Sequence, residues 1–207
     1  MVFSLLSVWA FLEISDRVFH RQTRKFDTGV LTRVQDMHSP LLDLVMKGFS
    51  LLGGVVLITL LCLGLGVWFL TRRQMAELKT LVCTALGGTT LNLLIKDFFA
   101  RDRPDMWAAL VHDDLNTSSY PSGHATISLV VYGFLAYILS SQFPRWRGLI
   151  LLATVVLVLA IGWSRLYVGL HWPTDVLAGY AAGFAWLSAC LLTLEVYRKR
   201  QRRREGH

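Results

Sequence analysis

An all-α integral membrane protein, a six-helix bundle with an interfacial amphipathic segment near the N-terminus, is the fold that this sequence predicts. Three observations predict it. Of the 207 residues, 54% are hydrophobic and only 17% are charged, and the mean hydropathy is +0.47, too apolar for an ordinary soluble domain. The apolar residues are gathered into runs, and roughly 20 consecutive ones are enough to cross a bilayer. Lysine and arginine concentrate in alternate connections between these runs, as they do in cytoplasmic loops.

Taken in order, Val2 to Ile14 is a short sixth candidate span, with no basic leader or small-residue cleavage pattern of a signal peptide. In the segment from Asp16 to Lys47, Phe26, Val30, Val34, Leu41 and Leu42 recur at helical spacing, which suggests a stretch lying along the membrane surface. Gly48 to Leu70 has no charge and is the clearest span. Leu81 to Ile95 reaches adequate length when extended back to Leu78 and forward to Lys96, although it contains Asn92. Ala125 to Ser141, Leu149 to Trp163 and Val176 to Tyr197 complete the set. Trp107, Trp146, Trp163 and Trp172 fall near span ends, where interfacial anchors belong. A single domain over 1–207 is expected, with the chemistry between 96 and 175 and a basic tail over 198–207.

Loop charges set the sidedness. Arg72, Arg73 and Lys79, then Arg145 and Arg147, then the tail all follow alternate spans and belong on the cytoplasmic side. Asp97 to Tyr120 carries five acids against Arg101 and Arg103, and faces outward. The segment from Asp16 to Lys47 disagrees, since it faces outward yet holds Arg17, Arg21, Arg24, Lys25, Arg33 and Lys47; Asp16, Asp27, Asp36 and Asp43 soften that conflict. The net charge of +7 does not point to nucleic acid, because six of the 21 basic residues lie between Arg198 and Arg204. A basic block following a span is a cytoplasmic anchor for anionic headgroups. Cys62, Cys83 and Cys190 are isolated within apolar stretches, which suits small hydrophobes rather than disulfides or a thiolate metal site.

Under this topology three loops emerge on one face, carrying Lys96, Arg103, His124, Arg165, His171 and Asp175. Ionisable groups beside lipid are costly, so such a set reads as a functional site. A lone arginine at a span end is usually a headgroup anchor; one ammonium with two guanidinium forks suits the several oxygens of a phosphate. Ser122 is placed as a helix cap, Gly123 permits close backbone approach, and the amides of a helix start favour an anion. His124 beside that anion is suited to donate a proton to a departing oxygen. His171 and Asp175 are four apart, one helical turn, with Pro173 tolerated in the first turn. Asp175 can then hold one ring nitrogen of His171 and leave the other for an electrophile, though a structural pair tying a loop to a helix has the same spacing.

The sequence reads KDFFARDRP from Lys96 to Pro104, PSGH from Pro121 to His124 and SRLYVGLHWPTD from Ser164 to Asp175. These blocks resemble the signature of the type 2 phosphatidic acid phosphatase superfamily: a lysine, six residues, Arg-Pro; then Pro-Ser-Gly-His; then Ser-Arg, five residues, a histidine, three residues and an aspartate. All eleven specified positions are filled, with gaps of 16 and 39 residues between blocks, over about 80 residues.

The resemblance implies a membrane lipid phosphatase in which His171 attacks phosphorus, Asp175 orients it, and His124 protonates the leaving oxygen and then activates water. Lys96, Arg103, Ser122, Gly123, Ser164 and Arg165 would hold the nonbridging oxygens. No cofactor and no metal is expected, since three cations serve and Asp97, Asp102, Asp105, Asp113 and Asp114 lack a recognised ligand spacing. The expected partners are membrane lipids and a lipid phosphate of the undecaprenyl pyrophosphate, phosphatidic acid or phosphatidylglycerol phosphate type; the oligomeric state stays open. The expected location is the bacterial inner membrane, with the site on its outer face and the tail in the cytoplasm. Transfer of the phosphoryl group to a second lipid, and a lipid transporter or binding protein, remain as alternatives.

Overall fold

The computed structural model describes residues 2–106, 110 and 118–205, except the side chains of residues 202, 204 and 205. The chain runs α1 (Val2–Phe19), α2 (Arg24–Gln35), α3 (Pro40–Leu52), α4 (Val55–Thr71), α5 (Met75–Phe99), α6 (Gly123–Gln142), α7 (Arg147–Tyr167) and α8 (Pro173–Glu205). All regular structure among the described residues is helical.

The apolar residues of α6 run around the whole cylinder rather than down one stripe, which suits a central helix. Its Val130, Val131, Phe134 and Ile138 meet Ile58 and Phe69 of α4, Leu81 of α5, and Leu187 and Leu194 of α8. In lipid the outward faces need no polar cover, and α4 and α7 present Val55, Val56, Leu60, Leu63, Leu149, Leu152 and Val156 there. Close packing and hydrogen bonds hold such helices together. Gly179 and Gly183 let α8 close on α6: a Cβ at Gly179 would lie 2.8 Å from the Ser122 carbonyl oxygen, and one at Gly183 2.9 Å from that of Thr126.

Among the described residues four helices, α5 to α8, are long and apolar enough to cross a membrane, and the α3–α4 pair makes a fifth as one bent span. The protein is therefore a multi-pass membrane protein, with two departures from the expected six spans. Val2 to Ile14 belongs to α1, which extends to Phe19 through Glu13, Asp16 and Arg17 and does not meet the same length and composition criterion. It packs along α8, where the Ser7 hydroxyl donates to the Ala181 carbonyl at 2.7 Å. The uncharged run from Gly48 to Leu70 is not one straight helix, since α3 and α4 meet at 44°. The break is at Gly53 and Gly54, and the Tyr132 hydroxyl donates to the freed Leu52 carbonyl at 2.7 Å. A Cβ at Gly53 would lie 2.4 Å from Ile161 Cγ2 and 3.2 Å from His124 Cδ2, so only a glycine lets this corner reach α7 and the start of α6.

The amphipathic α2 buries Asp27, Leu31 and Val34, with Thr23 buried just before it, and leaves Phe26 exposed, so its inward face is partly polar. Beyond it Ser39 caps α3, accepting from the Leu42 amide, and Tyr167 at the end of α7 donates to Asp43 at 2.5 Å. At the opposite end of the bundle, Arg198 of α8 pairs with Glu77 of α5 at 2.5 Å, and α8 stays helical through the basic tail to Glu205.

Candidate active site

The first block ends α5. Lys96, in its last turn, is buried and donates from Nζ to the Ser118 carbonyl. Ala100 then takes a left-handed conformation (φ 43°), which stops the helix and turns the chain across the end of the bundle. Along this stretch the Arg101 amide donates to Ser118 Oγ at 2.9 Å, and the Arg101 carbonyl accepts from the Ser119 amide at 2.8 Å. Arg103 follows, with Nη1 donating to the Leu170 carbonyl at 3.1 Å. The 97–106 and 118–122 stretches thus run side by side.

The second block opens α6. Ser122 is fully buried and caps the helix, its Oγ accepting from the Ala125 amide at 3.5 Å. Its own amide donates to the Asp175 carbonyl at 3.0 Å, joining this loop to the start of α8. Gly123 and the half-buried His124 open the first turn, and Asn92 of α5 donates to Thr126 Oγ1 at 3.2 Å from behind.

The third block ends α7 and starts α8. Ser164 is buried and its hydroxyl donates to the Ile161 carbonyl at 2.6 Å, back into its own helix. Arg165 is 1% exposed, and its Nη1 donates to Ser50 Oγ of α3 at 2.5 Å. His171 and Trp172 precede α8, so His171 and Asp175 are not one turn apart on a helix, contrary to the reading of their spacing. They meet across the helix start instead, with His171 Nδ1 3.5 Å from Asp175 Oδ2.

The closer partner of Nδ1 is the Ser119 carbonyl, at 2.8 Å. A carbonyl only accepts, so the proton sits on Nδ1 and the lone pair on Nε2. The Asp175 carboxylate, fully buried, takes its shorter bonds elsewhere: Nη1 of Arg101 at 2.6 Å and the Trp172 amide at 2.8 Å. Burial, and then the charges of Arg165, Arg103 and Lys96, hold the His171 imidazole well below the ordinary histidine range, with the Ser119 bond opposing them. The free site therefore holds a neutral imidazole within a cationic surround.

All nine residues predicted for the site lie at one end of the bundle, where α5 and α7 end and α6 and α8 begin or in the loops between them. Four others were not predicted: Ser119, Ser50, Arg101 and Asp27. Ser119 acts through its backbone, which leaves no trace in residue type. Asp27 carried a signal, a carboxylate on the apolar face of an amphipathic helix. Trp172 differs from the expected membrane belt, since its ring covers the Arg101 guanidinium (5.5 Å) and its Nε1 donates to the Asp102 carbonyl at 2.9 Å. Trp107, Asp113 and Asp114 lie outside the described residues.

The model of the PAP2 superfamily matches residues 76–199. Phosphatidylglycerophosphatase B of Bacillus subtilis (strain 168) is 30% identical over 180 residues, 84% of this chain and 85% of that protein. A putative undecaprenyl-diphosphatase of Escherichia coli (strain K12) is 31% identical over 133 residues, 62% of each. A crystal structure described as the first transmembrane PAP2 type phosphatidylglycerolphosphate phosphatase from Bacillus subtilis matches with a TM-score of 0.85 and 25% identity, over 97% of this chain and 98% of that one. Three sequence blocks folded into one site, a matching family model and a shared membrane fold lead to one identification: the chain belongs to the PAP2 superfamily and is a multi-pass membrane enzyme.

Proposed function

We propose that this enzyme hydrolyses the terminal phosphate of a membrane lipid phosphate or pyrophosphate through a phosphohistidine, without a metal ion. The observation that carries the reading is the 2.8 Å contact of His171 Nδ1 with the Ser119 carbonyl, which leaves the Nε2 lone pair for attack, while burial and the charges of Arg165, Arg103 and Lys96 favour the neutral ring. Nε2 attacks phosphorus and forms the N–P bond as the P–O bond to the lipid breaks, and the His124 imidazolium gives its proton to the departing oxygen. Water then attacks phosphorus, His124 takes its proton, the N–P bond breaks and inorganic phosphate leaves. Lys96, Arg103 and Arg165 hold the nonbridging oxygens, with the Gly123 and His124 amides at the capped start of α6. Ser122 and Ser164, both buried, complete the phosphate-binding set, Ser122 as the cap of α6 and Ser164 from the last turns of α7.

The lipid tail stays in the bilayer while the headgroup meets the site, at the outer face of the inner membrane. This orientation is supported by Arg72, Arg73, Arg145, Arg147 and the basic tail, which the positive-inside rule assigns to the cytoplasm. The Bacillus subtilis relative, similar along most of both chains, makes phosphatidylglycerol phosphate the first substrate to test. Undecaprenyl pyrophosphate and phosphatidic acid complete the panel. Purified protein is expected to release inorganic phosphate from at least one of the three, and the His171→Ala variant from none. Release by that variant at the wild-type rate, or label recovered on a second lipid instead of as free phosphate, overturns the hydrolytic reading.

A further inference from the structure

Arg101 lies within the first block but at none of its specified positions, and Asp27 lies far outside all three blocks. The Arg101 guanidinium bridges two fully buried carboxylates: Nη1 donates to Asp175 Oδ1 at 2.6 Å and Nη2 to Asp27 Oδ2 at 2.7 Å. Nη1 also donates to Thr174 Oγ1 at 2.8 Å, and Thr23 Oγ1 is 3.5 Å from Nη2. Asp27 in turn accepts from the Thr174 amide at 3.0 Å and from the Thr174 hydroxyl at 2.8 Å. That amide is one of the unpaired donors at the start of α8, so Asp27 of α2 serves as a helix cap delivered from another element.

Arg101 controls both acceptors that face His171 Nδ1. Its side chain holds Asp175, and its backbone holds Ser119, whose amide donates to the Arg101 carbonyl and whose own carbonyl accepts from Nδ1. Trp172 covers the guanidinium, so the arrangement is sheltered on that side.

We propose that Arg101, anchored by Asp27, is a positioning residue that fixes the Nδ1-protonated His171 for attack and makes α2 part of the catalytic framework. The proposal rests on the phosphohistidine reading above. The Arg101 side chain acts through Asp175, while its backbone contact with Ser119 persists in any variant; the phosphate is held by other cations. Its removal therefore weakens the chemical step and leaves binding in place.

The test is steady-state hydrolysis by the purified full-length protein, with inhibition by inorganic phosphate read alongside. Arg101→Met is expected to lower kcat about 100-fold, the size of effect an ångström-scale misplacement produces. KM and the inhibition constant of phosphate should stay within about threefold, since binding-only contacts move KM and not kcat. Arg101→Lys, which keeps a charge within reach of Asp175, should recover about tenfold in kcat over Arg101→Met. Should Arg101→Met not fold, Asp27→Asn carries the same split, with a kcat loss of about tenfold at unchanged KM. The inference is overturned if kcat is unchanged, if KM and phosphate inhibition move in parallel with kcat, or if Lys rescues no better than Met. Wild-type protein that releases no phosphate from any lipid overturns the functional reading as well; wild-type turnover with an indifferent Arg101→Met overturns this inference alone.

Discussion

His171 Nδ1 is 2.8 Å from the Ser119 carbonyl and 3.5 Å from Asp175 Oδ2, so a backbone group 52 residues away holds the ring more closely than its carboxylate neighbour does. The tautomer is set by a group that no side-chain substitution removes. Asp175→Asn should therefore keep Nδ1 protonated while losing the charge that pairs with Arg101 and would favour a phosphorylated imidazole. We expect a loss of about 100-fold in kcat, smaller than the roughly 10⁴-fold seen where an aspartate alone sets the tautomer. His171→Ala should show no turnover while remaining folded. Phosphate release by the two variants, measured side by side, checks the order; equal losses would contradict it.

Burial and the cations Arg165, Arg103 and Lys96 hold the His171 imidazole well below its ordinary value of 6.5. If the neutral ring is the nucleophile, as proposed, the acid limb of kcat/KM that reports this group is expected below pH 6.5. Lys96→Met removes a charge that opposes the imidazolium and should move that limb upward, toward 6.5, besides lowering the plateau. By linkage, the unfolded chain binds this proton more readily than the folded one. The group's contribution to stability is complete above pH 6.5 and declines as pH falls below it. A pH profile of kcat/KM for both proteins over roughly pH 4 to 8 tests the sign; a limb that moves down in Lys96→Met contradicts it.

Gly53 forms the corner between α3 and α4 against Ile161 and His124. In Gly53→Ala the new methyl meets Ile161 Cγ2 at 2.4 Å unless the corner moves. We expect a destabilisation of about 1–3 kcal/mol, typical of overpacking, and a fall in kcat as His124 is displaced. Thermal melting in detergent and phosphate release give the two readouts.

Under the proposed mechanism, Lys96, Arg103 and Arg165, whose charges reach His171, would supply the positive charge that a transferring phosphoryl group needs. Activity should survive excess chelator, and vanadate should inhibit by occupying the same cationic site as a pentacoordinate mimic. Loss of activity in chelator that magnesium restores would show that the three cations are not sufficient.

Ser50 donates nothing that its residue type announces, yet its Oγ accepts from Arg165 at 2.5 Å in a buried setting. Ser50→Ala leaves one guanidinium donor without this acceptor. A hydrogen bond to a charged group contributes about 1.5–3 kcal/mol, so a drop in melting temperature should accompany a change in KM. An unchanged KM and melting temperature would show that Arg165 is positioned without it.

The three blocks could be read directly because their chemistry is local: Ser122 caps the helix it begins, and Lys96 and Arg165 lie in the last turns of helices whose apolar runs define them. The helices α5 to α8 were legible for the same reason, with ends within about four residues of the apolar runs except that α8 continues eight residues past Tyr197. Gly48 to Leu70 was legible as a span but not as a bent one, because hydropathy counts apolar residues and carries no direction; at the bend Gly53 lies against Ile161 of α7 and His124 of α6. What the sequence by itself determined, then, is an all-helical membrane chain and the side chains able to handle a phosphate. Only the tertiary structure decided that the Ser119 carbonyl meets the His171 ring and that Arg101 joins Asp175 to Asp27. These are contacts over 52 to 74 residues, made by a backbone carbonyl and by charges whose partners become neighbours only when the helices pack.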